Sequence, residues 1–197
     1  MYKTVVFDLD GTLLNTLTDL ADAGNRLCRK YGWPTHERQA YRYFVGNGIP
    51  KLVERLAPAD QRTPAVLEAA LADFKRDYGQ HLRDTTAPYP GIPEMLAKLK
   101  ANGVQLAVFS NKADALAKEV VKDYFGTQYF TIVRGQMTGV APKPAAEGTN
   151  ALLQALHADP ASTLYVGDSN VDVETAHNAN PVSYTHLRAH ETPEHLV

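Results

Sequence analysis

The sequence predicts an α/β protein built on a parallel sheet, with an all-helical segment inserted after the first strand. Three observations carry this prediction. Outside one all-helical block, short apolar runs that are typical of strands buried on both faces alternate with helical periodicities. From about residue 16 to residue 87, every periodic segment instead has helical spacing. A proline-rich segment at 88–93 has few accessible conformations and marks the exit from that helical block.

Each element has its own signal. Apolar runs predict the strands, helical spacing of apolar residues predicts the helices, and glycine or proline ends most of them. The predicted strands cover residues 5–7, 104–109, 129–133 and 164–166. The predicted helices cover residues 16–31, 38–45, 49–57, 64–82, 92–100, 113–124, 146–157 and 171–178.

Composition narrows the classes of function. The 197 residues are 44% hydrophobic and 21% charged, which is enough apolar content for a sizeable core. A formal net charge of −2 gives no reason to expect binding to nucleic acid or to an anionic membrane. The single cysteine, Cys28, excludes an intramolecular disulfide and fits a reducing compartment. With no signal peptide ahead of the first strand, we expect a cytoplasmic protein.

The first strand ends in two carboxylates, Asp8 and Asp10, followed by Gly11 and Thr12. Alternate residues of a strand point to the same side, so both carboxylates are expected together. We expect the turn at the glycine to free several backbone N–H groups. A divalent metal with a phosphate would neutralise the acids and meet the free amides. Two solvated acids at a strand end are the simpler alternative.

Three more segments place polar residues next to predicted elements. Ser110 and Asn111 follow a strand, Lys143 stands between two prolines before a helix, and Asp168 and Asp172 follow another strand. The carboxyl ends of parallel strands share one edge of a sheet, which is where ligands bind in open α/β folds. Mg²⁺ prefers oxygen ligands, and a phosphoryl group in transfer needs cationic and hydrogen-bonding contacts. Together the segments predict a Mg²⁺-dependent phosphoryl-transfer site.

Each segment also has a structural interpretation. Ser110 and Asn111 are ordinary helix N-caps, and capping likewise explains one acid of the last segment, Asp168. Lys143 has the alternative of a solvated surface lysine. Asp172, four residues after Asp168, is not explained by capping.

In their order and spacing, these segments resemble the four motifs of the haloacid dehalogenase-like hydrolases. The motifs fall at 8–12, 110–111, 143–144 and 167–172, and the resemblance covers about residues 1–180. It implies a Rossmann-like core at 1–15 and 88–180 with a helical type 1 cap at 16–87. Tyr-Pro-Gly at 89–91 and Gly-Asn-Gly at 46–48 are similar to phosphoglycolate phosphatases.

The resemblance implies a Mg²⁺-dependent phosphatase that works through an aspartyl-phosphate intermediate. Asp8 is implied as the nucleophile, and Asp10 as the acid that protonates the leaving alkoxide and then activates water. The cap is implied to close over the substrate and to select the leaving group. The implied residues are Asp8, Asp10, Ser110 and Lys143 for catalysis; Gly11, Thr12, Ser110, Asn111 and Lys143 for the phosphoryl group; and Asp8, Asp10 through its carbonyl, Asp168 and Asp172 for Mg²⁺.

The chain departs from the family pattern in three places. Asn15 stands where many relatives have an acid, and Ala146 replaces a proline often found after the Lys-Pro pair. The larger departure is the tail at 181–197, which lacks periodicity where the family has a final edge strand. We therefore expect a doubtful edge strand, with reduced stability or a compensating dimer. His186 and His190 are four residues apart, but metal binding there has no other predicted ligand.

The substrate is left open among related classes. A small phosphorylated metabolite, phosphoglycolate first, is the leading expectation. Sugar-phosphate phosphatase, nucleotidase, pyrophosphatase and phosphosugar mutase are alternatives within the family. Outside it stands an inactive relative that binds phosphate or serves as an interaction partner. In the cap, Asn47, Lys51 and Arg55 either face the substrate's carboxylate or lie on a solvated helix face. The sequence is compatible with a monomer or a homodimer.

Overall fold

The computed structural model describes residues 2–185, which divide into two units. The first, here called the sheet unit, combines the chain up to Leu14 with the chain from Pro88 onward. The second, here called the helical unit, is Asn15–Ala87. The two boundaries fall within two short strands, Leu14–Asn15 and Ala87–Pro88, that pair as a separate two-stranded sheet.

In chain order the strands and helices are β1 (Thr4–Phe7), β2 (Leu14–Asn15), α1 (Leu17–Tyr31), α2 (Tyr41–Phe44), α3 (Ile49–Leu56), α4 (Pro64–Gln80), β3 (Ala87–Pro88), α5 (Ile92–Ala101), β4 (Gln105–Ala113), α6 (Asp114–Phe125), β5 (Phe130–Gln136), α7 (Ala146–Ala155), β6 (Thr163–Gly167), α8 (Asn170–Ala179) and β7 (Val182–Thr185). Short 3-10 turns cover Arg38–Ala40, Ala59–Gln61 and Pro160–Ser162.

The main sheet has five strands in the order β5-β4-β1-β6-β7, and every pair is parallel. The central strand β1 is buried along its whole length. Its last residue, Phe7, lies opposite Val108 of β4 and Val166 of β6. The ends of three adjacent strands therefore meet at one edge, and the predicted α/β parallel sheet is confirmed.

One face of the sheet packs on the helices α7 and α8. Val6, Ala107 and Tyr165 come from three neighbouring strands and contact a cluster that includes Leu152 and Ala176. All five are at most 1% exposed, so this apolar layer holds the strand ends in fixed relative positions.

The final edge strand, which the sequence left in doubt, is present in the structure. Val182–Thr185 forms β7 and pairs in parallel register with β6, with Leu164 opposite Val182. The edge of β6 is covered over these four residues, while reduced stability or a compensating dimer stays a prediction. The pair His186 and His190 lies outside the residues that the structure describes.

Strand β4 is longer than its apolar run. The sequence predicts a strand ending at residue 109, whereas β4 continues to Ala113, where it pairs with Gln136 of β5. Ser110 and Asn111 therefore lie inside a strand, and the N-cap of α6 is Ala113. The interpretation of these two residues as helix caps is wrong, because the strand continues past them, through a shift in its register with β5, and pairs again at Ala113.

The helical unit is held by its own contacts. Gly24 of α1 lies against Tyr41, where an added Cβ would come within 2.5 Å of the ring. Asp19 of α1 is buried and accepts hydrogen bonds from the backbone N–H groups of Thr85 and Thr86, both at 2.9 Å. Among the helices within residues 2–185, none has both the length and the apolar character needed to cross a bilayer.

Candidate active site

Two of the predicted carboxylates follow adjacent strands of the sheet. Asp8 comes directly after β1, and its backbone N–H donates to the carbonyl of Val166 at 2.9 Å. Asp168 comes directly after β6, and both aspartates are buried. The parallel register of β1 and β6 therefore brings together two acids that are 160 positions apart in the sequence.

Lys143 lies at the centre of this cluster. Its side chain is 2% exposed, and its ammonium donates to Asp8 Oδ1 and to Asp172 Oδ1, both at 2.8 Å. The ammonium also lies 6.0 Å from the Phe109 ring centroid and 5.9 Å from that of Tyr165. The alternative of a solvated surface lysine is wrong, since this ammonium is enclosed by two carboxylates and two aromatic rings.

The electrostatics of the cluster are those of crowded acids around one cation. Burial raises the pKa of Asp8 to about 7, opposed by the Lys143 ammonium and reinforced by the carboxylates of Asp172 and Asp168. Burial alone would lower the pKa of Lys143, yet Asp172 and Asp8 hold it well above its usual value. Burial would likewise raise the pKa of Asp172, but its bonds to Lys143 and Ser169 keep it below its usual value.

Asp172 accepts hydrogen bonds from Ser169, Lys143 and Tyr165. Its Oδ2 accepts from the backbone N–H of Ser169 at 3.1 Å and from the Ser169 hydroxyl at 2.6 Å, which forms a capping box at the start of α8. Its Oδ1 accepts from Lys143. The N-cap is Ser169 and not Asp168, so the sequence interpretation had the capping residue wrong and the role of Asp172 in capping was missed.

Gly167 lets Asp172 approach the strand end. A Cβ on Gly167 would lie 2.2 Å from both Cβ and Cγ of Asp172, which is far inside contact distance. Any larger residue at this position would push Asp172 away from Lys143. The glycine that ends β6 is therefore required by close packing against a charged side chain.

The carboxylates fit a divalent cation. Oxygen atoms of Asp8, Asp168 and Asp172 lie within 4.8 Å of one another, and all three residues are buried. Together with Asp10, the described site has four carboxylates. They are accompanied by two ammonium groups, those of Lys143 and Lys112. A hard cation with oxygen ligands would balance that surplus of negative charge.

Asn111 fixes the backbone of the segment that carries Lys143. Its side-chain Oδ1 accepts from the backbone N–H of Lys143 at 2.8 Å, and its Nδ2 donates to the Lys143 carbonyl at 3.2 Å. These two bonds clamp one peptide position from both sides. The neighbouring Ser110 is buried, and its hydroxyl accepts from the backbone N–H of Lys112 at 3.2 Å.

The turn after β1 differs from its expected form. The N–H of Gly11 donates to the Leu14 carbonyl at 2.8 Å, and the N–H of Thr12 donates to the Leu9 carbonyl at 3.3 Å. The prediction that this turn frees these amides is wrong, because the turn satisfies them internally. Gly11 itself is needed for its φ of 93°, and the Thr12 hydroxyl donates to Asp168 at 3.4 Å.

One residue of the site was missed by the sequence interpretation. Lys112 follows Asn111 on β4, its side chain is 2% exposed, and its ammonium lies 3.1 Å from Asp10 Oδ1. A lone lysine after a predicted strand gives no sign of burial. Lys112 lies in the extended part of β4, where the register with β5 shifts, and its burial is a tertiary effect with no local signal.

The candidate cap residues have partners within the helical unit. Arg55 donates to the Phe44 carbonyl at 2.8 Å and to Asn47 Oδ1 at 2.9 Å. Lys51 pairs with Glu54 at 2.8 Å on an exposed surface. These contacts shape the Gly-Asn-Gly segment at 46–48; the role of the three residues toward a substrate stays a prediction.

Comparisons with known proteins agree with this geometry. The profile of the haloacid dehalogenase-like hydrolases matches residues 5–184. A curated phosphoglycolate phosphatase of Thiobacillus denitrificans is 32% identical over 180 residues, covering 90% of this chain and 79% of that protein. A phosphoglycolate phosphatase of Neisseria meningitidis is 33% identical over 184 residues, covering 92% of this chain and 78% of that protein.

A solved structure has the same fold. It is of a protein from Lactobacillus delbrueckii subsp. bulgaricus, described as a candidate phosphoglycolate phosphatase, and superposes with a TM-score of 0.87 at 28% identity. The similarity covers 93% of this chain and 85% of that one.

Proposed function

Because the chain belongs to the haloacid dehalogenase-like hydrolases, we propose that it is a Mg²⁺-dependent phosphatase of a small phosphorylated metabolite. Phosphoglycolate is the first candidate substrate, since it is named for relatives that align with 90% or more of this chain. The observation that supports the proposal most strongly is the buried cluster in which Lys143 contacts Asp8 and Asp172 beside Asp168.

Asp8 is the proposed nucleophile. Its carboxylate oxygen forms a bond to phosphorus while the bond from phosphorus to the leaving oxygen breaks, which yields an aspartyl phosphate. Asp10 gives a proton to the leaving oxygen. In the second step Asp10 takes a proton from water as the water oxygen attacks phosphorus, and the bond to Asp8 breaks.

Lys143 and Ser110 are the proposed ligands of the phosphoryl oxygens. The Lys143 ammonium is held within 2.8 Å of the nucleophile, so a phosphoryl group at Asp8 would meet it directly. Asn111 acts on this contact indirectly, by fixing the backbone of Lys143. The turn at Gly11 and Thr12 contributes its shape, and Thr12 contributes its bond to Asp168.

The proposed Mg²⁺ ligands are Asp8, Asp168 and the backbone carbonyl of Asp10. When bound there, Mg²⁺ would neutralise the carboxylates and lower the charge repulsion between Asp8 and an anionic phosphate. Asp172 supports the site through Lys143, because both of its oxygens already accept hydrogen bonds from other groups.

Two further points belong to the proposal. The helical unit serves as the cap that selects the leaving group, in line with its insertion between the first and second motifs. The proposed compartment is the cytoplasm, since the single cysteine, Cys28, forms no intramolecular disulfide and so fits a reducing environment.

The test is a turnover assay with Mg²⁺ on a chromogenic phosphate ester, followed by a panel of phosphorylated metabolites that includes phosphoglycolate. We expect Asp8→Asn to abolish turnover, while Asp60→Asn, at an exposed position of the helical unit, leaves it unchanged. Preference for a sugar phosphate or a nucleotide would reassign the substrate. Absence of turnover across the whole panel would refute the enzyme and favour a phosphate-binding or interaction protein.

A further inference from the structure

Lys112 is a second buried lysine at the site, and no role in the reaction is assigned to it above. Its ammonium donates to both oxygens of Asp10, at 3.1 Å to Oδ1 and 3.4 Å to Oδ2. The Lys112 side chain is 2% exposed and that of Asp10 is 24% exposed. The lysine thus approaches Asp10 from the protein interior, and the open side of the carboxylate is left for a reactant.

The backbone around Lys112 is tightly held. Its N–H donates to the Ser110 hydroxyl at 3.2 Å, and its carbonyl lies so close to Gly135 of β5 that a Cβ there would approach it to 2.4 Å. Asp114, two residues on, accepts from the Gly135 N–H at 3.0 Å. The backbone of Lys112 is therefore held by β4, β5 and the start of α6, and its buried side chain extends from there to Asp10.

A buried ammonium is costly. Removing such a group from water costs several kcal/mol unless close anionic partners compensate. A stability role alone is served as well by an apolar side chain of similar volume. The pair contributes something an apolar residue cannot, which is a fixed orientation of the Asp10 carboxylate.

We propose that Lys112 is a positioning residue that orients Asp10 for proton transfer to the leaving group. The inference rests on the proposed function, in which Asp10 is the general acid and base. Lys112 contacts both oxygens from the interior, and so turns the exposed side of the Asp10 carboxyl toward the leaving oxygen. In the second step the same contact keeps Asp10 in the orientation in which it accepts the proton of water.

Proton transfer depends steeply on geometry. The carboxyl must lie within hydrogen-bond reach of the leaving oxygen, and a carboxylate free to rotate spends less time there. The dependence also varies with the leaving group. An alkoxide is too basic to leave without a proton, whereas p-nitrophenolate is stable as an anion and needs none.

This difference gives a test specific to the inference. The test compares Lys112→Met, which keeps length without charge, with the wild type on an alkyl phosphate, phosphoglycolate or the best substrate of the panel, and on p-nitrophenyl phosphate. We expect kcat/KM on the alkyl ester to fall by about 10- to 100-fold. On the aryl ester we expect a loss below about threefold, because kcat/KM reports only the steps up to leaving-group release.

Three further variants test whether the loss comes from the contact between Lys112 and Asp10. Lys112→Arg keeps a cation and should recover part of the loss on the alkyl ester. Asp10→Asn should show the same dependence on leaving group, and adding Lys112→Met to it should cause little further loss, because the two residues act as one unit. The control is Lys118→Met, which removes another lysine–aspartate pair, the one that Lys118 makes with Asp114 at 2.7 Å, and should leave both rates unchanged.

The outcomes are separable. Equal losses on the two esters would overturn the inference and assign Lys112 to phosphate binding or to structure. If circular dichroism shows that Lys112→Met does not fold, the two esters are compared with Lys112→Arg instead. Equal losses of kcat/KM on the two esters again overturn the inference. If the wild type turns over neither ester, the proposed function itself fails, and that failure is visible before any variant is made.

Discussion

The two units use charged side chains in opposite ways. In the helical unit, Asp19 accepts four hydrogen bonds from Thr85 and Thr86, and Arg26 pairs with Asp77 at 2.8 Å. In the sheet unit, the carboxylates outnumber the ammonium groups around Lys143. A charge satisfied within the chain has a structural role, whereas an unbalanced buried cluster indicates a ligand.

The largest expected effect is on stability, at Asp19, whose charge is satisfied within the helical unit. Asp19→Ala leaves two backbone N–H groups and two hydroxyl groups without their acceptor, one pair of them buried at Thr86. We expect the free energy of unfolding to fall by about 3 kcal/mol or more, from the loss of a buried charged acceptor. Urea denaturation of the two proteins measures it.

The thermal response to Mg²⁺ provides the control for this variant. Asp19 belongs to the helical unit, so the rise in melting temperature on adding Mg²⁺ should be retained in Asp19→Ala. An unchanged unfolding free energy, or a lost response to Mg²⁺, would contradict the separation of structural and ligand-binding charges.

Substitution of Asp8 is expected to raise the free energy of unfolding, where substitution of Asp19 lowers it. Asp8→Asn removes one of three buried neighbouring carboxylates and keeps the side-chain shape. In buffer with EDTA at pH 8, we expect this variant to be more stable than the wild type by about 1–2 kcal/mol, since burial disfavours the ionised form. The measurement is chemical denaturation without metal.

Adding Mg²⁺ should reverse that order. The wild type gains stability from a cation that its carboxylates bind, and Asp8→Asn gains less because one ligand is neutral. A variant that is less stable than the wild type in EDTA would mean that the Lys143 pair outweighs the repulsion among the acids.

The sequence anticipated the parts of the fold and site that depend on local pattern. The apolar runs and helical spacings predicted the parallel sheet, and the strand ends predicted which acids meet, since Asp8 and Asp168 follow strands that lie side by side. The sequence did not predict the burial of Lys112 or the capping role of Asp172. Burial of Lys112 depends on the continuation of β4 beside β5 beyond its apolar run, which no local pattern encodes.

The short last strand shows the same limit. Val182–Thr185 has four residues and little alternation, and it is a strand because β6 offers it an edge. For the turn after β1, the prediction was wrong about the hydrogen bonds of its amides. Glycine correctly marked a positive φ, but the number of internal hydrogen bonds within the turn is a property of its three-dimensional closure.

A smaller effect is expected from Asn111, the residue that holds the Lys143 backbone. Asn111→Ala removes the two hydrogen bonds to the Lys143 backbone, so the ammonium is less well placed beside Asp8. We expect kcat to fall by about tenfold, as for a modest misplacement of a catalytic group. Steady-state kinetics on the best substrate measures it.

Asn102→Ala is the matched control for that change. Its side-chain amide donates to the Lys98 carbonyl at 2.8 Å at the exposed end of α5, so turnover should stay at the wild-type level. Loss of the Mg²⁺-induced stabilisation in Asn111→Ala would contradict the assignment, because Asn111 is proposed to act on Lys143 and not on the metal ligands.

The smallest expected effect concerns a charge beside the site that the chain itself satisfies. Burial would raise the pKa of Asp114, but bonds from Lys118 and the Gly135 N–H hold that pKa below its usual value. A lowered folded pKa means that this stability is present above the unfolded pKa and is lost as pH falls through the folded one. Asp114→Asn should therefore cost about 0.5–1 kcal/mol at pH 7, discounted for partial exposure of the pair. Urea denaturation at pH 7, 5 and 3.5 should show the difference from the wild type shrinking as pH falls, and a difference that grows toward acid would mean that the carboxylate is unfavourable in the folded protein.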